Sequence, residues 1–228
     1  MTRDRPALWR FRAVVPGALT VAMLAAAATA RAAAGCPLPE AADPALANVA
    51  PARRLEFIDA RLTSAERKAR IWTYGWGGGI AAAGVGTLVA VPFVAPENRV
   101  DWYTGAVSAG VGVAALVIVP PVVLDVAPAL RSRIASAPHG VDVCPLLRGA
   151  EADLARVARD EERQGRWYVH LGNVLFNVGL GLFLGLGFHH WEAGAINAAV
   201  GIAVGEALIL TRPTAAIADL DAYRGARF

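Results

Sequence analysis

The chain has 228 residues, 56% of them hydrophobic, and its mean hydropathy is +0.43. Because its charges are gathered between long neutral runs, these values indicate a membrane protein and argue against a soluble helical one. Residues 1–35 contain five Arg and one Asp, so their removal changes the formal net charge from +3 to −1. The basic balance therefore gives no support for nucleic-acid binding.

The N-terminus has the pattern of an export signal. A basic segment contains Arg3, Arg5, Arg10 and Arg12, and an apolar run over 14–28 and small residues over 28–34 follow it. That run is too short for a comfortable membrane span. We therefore predict that residues 1–35 are a cleaved signal peptide.

Two segments of the chain repeat each other. Residues 102–112 and 191–201 share Trp, Gly and Ala at equivalent positions, and Cys-Pro-Leu occurs at both 36–38 and 144–146. With one gap, Gly84 and Gly86 align with Gly179 and Gly181. These matches predict a tandem duplication, with one unit over 36–126, a second over 127–210 and a polar C-terminal tail over 211–228.

Four apolar runs are long enough to cross a bilayer, which needs about 20 helical residues. They cover about 71–95, 102–124, 167–188 and 191–210, and Trp or Tyr residues lie near their ends. Aromatic rings favour that boundary. The predicted fold is an all-α membrane protein with four transmembrane helices, arranged as two duplicated hairpins that are each preceded by a charged amphipathic helix.

The two charged segments contain apolar residues at helical spacing. Pro51 suits the first position of a helix, and Thr63 and Glu66 resemble a capping box at which a second helix starts. The apolar stripes are Leu55, Ile58 and Leu62 in the first segment and Leu147, Leu154 and Val157 in the second. We expect solvated helices that lie on the membrane surface or on each other. A docking face for a partner protein is the alternative.

The chain has two cysteines, Cys36 and Cys144. Export would place both outside the cell membrane, where a disulfide between them is expected. Lipidation of Cys36 and reduced thiols are the alternatives, since residues 33–36 resemble a lipoprotein cleavage box. One observation opposes this topology: the segments 37–70 and 127–166 carry six and seven basic residues, which the positive-inside rule would place in the cytoplasm.

Glycine and a few polar residues mark the apolar runs. Gly-xxx-Gly pairs at 75–79, 181–185 and 201–205 predict close helix packing and offer faces for an oligomer. The polar candidates are His170, Asn173, Asn177 and Glu206. We predict that His170 and Glu206 form one coupled site. The alternative is ordinary interhelical hydrogen bonding with a carboxylate that reaches the membrane surface.

The sequence shows no catalytic, cofactor or metal motif. The glycine string over 75–86 lacks a phosphate-binding lysine, and the pair at 189–190 reads as a tight turn rather than a zinc site. We therefore expect a non-enzymatic protein of the bacterial inner membrane, with its charged segments in the periplasm. A structural or interaction protein that binds a membrane or periplasmic partner is the first hypothesis. A small transporter, channel or sensor that uses the polar group of the second unit is the second.

Overall fold

The structure is a computed structural model that describes residues 36–138, 140 and 142–227, so the predicted signal peptide lies outside the described residues. Over this part of the chain the secondary structure is helical, without a strand. The residues after Cys36 belong to one compact unit, Pro37–Phe228.

The α-helices of the described residues follow one another with short connections. They are α1 (Pro51–Ala90), α2 (Arg99–Ile118), α3 (Val123–Ala135), α4 (Val143–Gln164), α5 (Trp167–Phe188), α6 (Trp191–Leu210) and α7 (Ala215–Arg224). Short 3₁₀ helices cover Pro44–Asn48, Val91–Phe93 and Pro96–Asn98.

Four helical segments are long and apolar enough to cross a membrane. They are Pro51–Phe93, Pro96–Ala135, Trp167–Phe188 and Trp191–Arg224. The prediction of an all-helical fold with four candidate membrane spans is therefore confirmed.

Helix α1 is longer than the sequence predicted. It begins with Pro51 at its first turn, as expected, and continues without a break for 40 residues, a length of about 60 Å. The predicted helix start at Thr63 is therefore wrong. Glu66 does not cap a helix there, because its carboxylate pairs with Arg131 of α3 at 2.7 Å.

Helix α2 ends earlier than the predicted span over 102–124. Its last residue is Ile118, and Val119 leaves the helical conformation. Pro120 and Pro121 follow, and a proline both lacks a backbone donor and disfavours helix in the residue before it. The helix therefore stops at this point, and Val123 starts α3.

The first 20 residues of α1 pack with α3, α4 and α7 in a layer that we call the charged layer. Both apolar stripes predicted from the sequence are buried inside it, together with residues of α3; the buried side chains include Leu55, Ile58, Leu62, Val126, Leu130, Leu147, Leu154 and Val157. Helix α7, from the predicted polar tail, packs against α4. The charged segments thus share a core of their own.

The apolar helices pack as two pairs, α1 with α2 and α5 with α6, whereas contacts between the pairs are made mainly by α2. Many large apolar side chains on these helices are exposed, such as Val85, Leu175 and Leu186. Such surfaces suit a lipid environment.

Candidate functional site

The four polar residues singled out in the sequence lie together between α5 and α6. His170 Nδ1 is 2.5 Å from Glu206 Oε2, and Asn173 Nδ2 donates to Glu206 Oε1 at 2.9 Å. Asn173 Nδ2 also donates to the carbonyl oxygen of Ile202 at 3.1 Å. Asn177 Nδ2 in turn donates to Asn173 Oδ1 at 2.9 Å. We call these four side chains the polar chain.

The polar chain leads from the surface of the helix pair into its interior. His170 lies in the first turn of α5, Glu206 lies about one turn before the end of α6, and their side chains are 32% and 27% exposed. Asn177, two turns further along α5, is only 4% exposed. The ionisable end is therefore near the charged layer, while the amide end is deep in the apolar region.

Glycines of α6 make room for the two amides. A Cβ atom at Gly201 would lie 1.8 Å from Asn177 Oδ1, and one at Gly205 would lie 2.0 Å from Asn173 Oδ1. Larger residues at these positions would displace the polar chain. The pair at 201–205 thus serves side-chain placement as well as close helix packing.

The predicted pair at 75–79 behaves differently. No atom of the described residues lies within 4 Å of a Cβ built at Gly75 or Gly79, so this face makes no close helix contact within the described chain. Its use in an oligomer stays a prediction.

The contacts inside the two helix pairs correspond to one another. A Cβ at Gly84 would lie 2.9 Å from Ala109 Cβ, and a Cβ at Gly181 would lie 3.0 Å from Ala198 Cβ. Gly84 is therefore equivalent to Gly181 in three dimensions, two residues away from the Gly179 of the sequence alignment. In the same register, Ile80 contacts Gly112 where Asn177 contacts Gly201.

A partly open cavity of ≈ 720 Å³ lies between the two helix pairs. All four apolar helices contribute to its lining, which includes Asn173 and Asn177 of the polar chain. Ser108 of α2 and Asn197 of α6 add further polar atoms to a lining that is otherwise mostly apolar. The amide end of the polar chain therefore faces this cavity.

At the end next to the charged layer, Arg212 and Trp72 line the cavity. The Arg212 guanidinium lies 5.5 Å from the Trp72 ring centroid and 3.3 Å from the Asp160 carboxylate. The indoles of Trp72 and Trp76 both donate to Thr211 Oγ1, at 3.2 and 3.0 Å. These contacts join α1 to the segment that follows α6.

At the opposite end, Asp101 of α2 lines the cavity and pairs with His190 of the α5–α6 turn. Asp101 Oδ1 is 2.8 Å from His190 Nδ1. The sequence analysis missed this pair and saw only a turn at His190. One pattern could have revealed it, since Asp101 and His190 stand at equivalent positions, directly before Trp102 and Trp191.

A buried ionic cluster in the charged layer was also missed. Arg54 of α1 donates from Nε to the Tyr223 hydroxyl at 2.9 Å and from its guanidinium to Glu151 of α4. The Tyr223 hydroxyl donates to the same Glu151 carboxylate. All three side chains are buried, so each charge or donor depends on the other two. The cluster fixes α1, α4 and α7 to one another.

Glu161 of α4 is a second buried carboxyl group of the charged layer. Its Oε2 accepts hydrogen bonds from the backbone N–H groups of Ala216 and Ile217, at 2.8 and 3.3 Å, in the first turn of α7. Burial raises the pKa of Glu161 to about 7, although the two N–H groups and nearby Arg212 favour the charged form. This carboxyl therefore changes its charge near neutral pH.

The two cysteines, Cys36 and Cys144, form a disulfide bond. Within the described residues, no group of three or more His, Cys, Asp or Glu side chains is arranged to hold a metal ion. The polar chain, the cavity and the pairs at its two ends are therefore the features on which a function can be argued.

Over the described residues, the fold defines the class of the protein as all-helical with four helices long and apolar enough to cross a membrane. The chain matches no protein-family model, no curated protein and no solved structure. A fold class hosts many functions, so the function has to be argued from the site.

Proposed function

We propose that the protein is a membrane-embedded binding protein, a small transporter or sensor, for a molecule that occupies the cavity between its two helix pairs. The observation that carries this proposal is that Asn173 and Asn177, which belong to the polar chain, also line the cavity. Polar groups are costly inside a membrane and commonly mark solute pathways and ligand sites.

The cavity favours binding over a purely structural use of the polar chain. Interhelical hydrogen bonds need only tight packing, as in the contact between Gly201 and Asn177. A cavity of ≈ 720 Å³ between the two helix pairs is not needed for such packing. This volume falls within the range of about 300–1,000 Å³ that is typical of small-molecule sites.

The proposal includes two duplicated hairpins, α1 with α2 and α5 with α6. Two corresponding contacts support it, Gly84 with Ala109 and Gly181 with Ala198. Where the first hairpin has Ile80, the second has Asn177, so the two copies would have diverged at a position that lines the cavity. A symmetric apolar pair would thereby have acquired one polar side.

We place the protein in the bacterial inner membrane with the charged layer in the periplasm. The disulfide supports this orientation, because Cys144 belongs to α4 of the charged layer and disulfides persist in oxidising compartments. The count of basic residues in segments 37–70 and 127–166 favours the opposite orientation. Their Arg side chains are partly neutralised by acidic partners, as in the pairs of Arg131 with Glu66 and Arg133 with Asp153.

A structural or interaction protein is the second candidate, and one observation favours it. Helix α1 continues unbroken from the charged layer into the apolar region, so a membrane or periplasmic partner bound to the charged layer would be held rigidly relative to the membrane. Neither candidate involves catalysis.

Native mass spectrometry of the purified protein tests the binding proposal. Ala115 of α2 lines the cavity, whereas its neighbour Ala114 does not. Wild-type protein should release with a bound small molecule, Ala115→Phe should lose that molecule, and the matched control Ala114→Phe should keep it. Equal occupancy of the two variants, or a wild-type protein without a bound molecule, would contradict the proposal.

A further inference from the structure

We propose that the cavity binds an uncharged long-chain alcohol, whose hydroxyl group donates a hydrogen bond to the side-chain oxygen of Asn177 or Asn197. This ligand class rests on the binding function proposed above and makes it more specific.

The dimensions of the cavity fit an extended alkyl chain. Its lining follows α2 from Asp101 to Val119, about 27 Å at 1.5 Å per residue. A long, mostly apolar cavity of ≈ 720 Å³ accommodates an alkyl chain that lies along it, because the chain packs closely against apolar side chains.

The charges at the ends of the cavity indicate an uncharged ligand. Asp101 pairs with His190 at 2.8 Å, and Arg212 pairs with Asp160 at 3.3 Å. A charged ligand would enter a low-dielectric site in which both lining charges already have partners, so its desolvation would be uncompensated.

The amides of the lining require a donor from the ligand. Asn177 is 4% exposed and uses its Nδ2 toward Asn173, while its Oδ1 accepts no hydrogen bond from the described residues. Asn197 donates from Nδ2 to the carbonyl of Ala193 at 3.0 Å. Its Oδ1 faces α2, 3.5 Å from the position of a Cβ on Gly105.

These two free acceptors favour a hydroxyl group. A ligand that fills the cavity covers both oxygens, and a covered acceptor that lacks a hydrogen bond costs about 1–3 kcal/mol. An alcohol supplies the missing donor, whereas an ether of the same length supplies only another acceptor. Asn177 and Asn197 both lie in the central part of their helices, so the hydroxyl would sit deep in the membrane with its chain directed toward one end of the cavity.

Tryptophan fluorescence provides a direct test, because Trp72 and Trp102 line the cavity and bromine quenches an indole on contact. The protein is placed in lipid nanodiscs and titrated with bromododecanol or with the methyl ether of bromododecanol. Quenching in the Ala115→Phe variant, whose cavity is blocked, is subtracted as the contribution of the surrounding lipid, and Ala114→Phe serves as the matched control.

We expect half-maximal quenching by the alcohol at a concentration about tenfold lower than by the ether, the effect of one hydrogen bond. Asn177→Leu should remove most of this preference. Asn197→Leu is the second variant, which breaks only a bond within its own helix and should reduce the preference even if Asn177→Leu does not fold.

Equal quenching by alcohol and ether in the wild-type protein would overturn the proposed ligand class. Quenching that is unchanged by Ala115→Phe would also overturn it, because the alcohol would then lie outside the cavity. If native mass spectrometry still shows a bound molecule that Ala115→Phe expels, the binding function stands and only the ligand class is wrong.

Discussion

Replacing Gly201 by Ala should displace the amide end of the polar chain. The new Cβ would lie 1.8 Å from Asn177 Oδ1, so the amide has to move and its hydrogen bonds to Asn173 are lost. Overpacking of this kind costs about 1–3 kcal/mol, whereas the change from Gly to Ala inside a helix contributes about 1 kcal/mol in the opposite direction. We expect a net loss of roughly 0–2 kcal/mol, which is a loss of roughly 1–3 kcal/mol relative to a Gly-to-Ala change that meets no clash.

Gly179 provides the matched control, because no neighbouring atom of the described residues lies within 4 Å of a Cβ built there. Gly179→Ala should be neutral or stabilising by up to about 1 kcal/mol. Unfolding of the detergent-solubilised protein, followed by circular dichroism, measures both effects. Combining Gly201→Ala with Asn177→Ala should cost less than the sum of the single changes, since the clashing amide is gone. Equal stability of Gly201→Ala and Gly179→Ala would refute the contact.

Three further predictions concern other parts of the molecule. The folded-state pKa of Glu161 is raised from 4.5 to about 7, so folding favours the neutral carboxyl. The contribution of this group to the free energy of unfolding is therefore fully present below pH 4.5 and is lost as the pH rises through 7, by about 3 kcal/mol at most. Glu161→Gln should flatten this part of the pH profile of thermal denaturation, and an unchanged profile would count against the assignment. Glu206→Leu should destabilise the protein by about 1–2 kcal/mol, because His170 and Asn173 lose the carboxylate that they contact. Adding His170→Leu should recover part of this loss. Strictly additive losses would show that the two residues do not interact. Reduction of the bond between Cys36 and Cys144 should slow migration in a denaturing gel, and identical mobility before and after reduction would argue against a disulfide in the mature protein.

The sequence was sufficient for features that depend on local composition. Long uncharged runs predict helices that can cross a membrane, since the hydropathy of a run depends only on its own residues. The helical spacing of Leu147, Leu154 and Val157 likewise predicted one buried face of α4.

Features that depend on packing between distant segments were harder to predict. The cluster of Arg54, Glu151 and Tyr223 joins three helices across long stretches of chain, and no local pattern marks it. The register of the two hairpins differs by two residues from the sequence alignment, because the contact of Gly84 with Ala109 is a steric fit that sequence identity does not measure.

The start of a helix at Thr63 was wrong for a related reason. A capping box stabilises a helix end only when the backbone N–H groups there lack partners. In α1 the preceding turn already supplies them, and Glu66 binds Arg131 of α3 instead.

Photocrosslinking with a long-chain alcohol that carries a diazirine on its chain tests the central claim most directly. Irradiation of the protein in nanodiscs, followed by peptide mass spectrometry, locates the labelled residues. We expect labels on α2 at positions that line the cavity, such as Ser108 and Ala115, and competition by unlabelled dodecanol. Labels confined to side chains that are exposed outside the cavity, such as Ala114 and Val117, without competition, would contradict a ligand site between the two helix pairs.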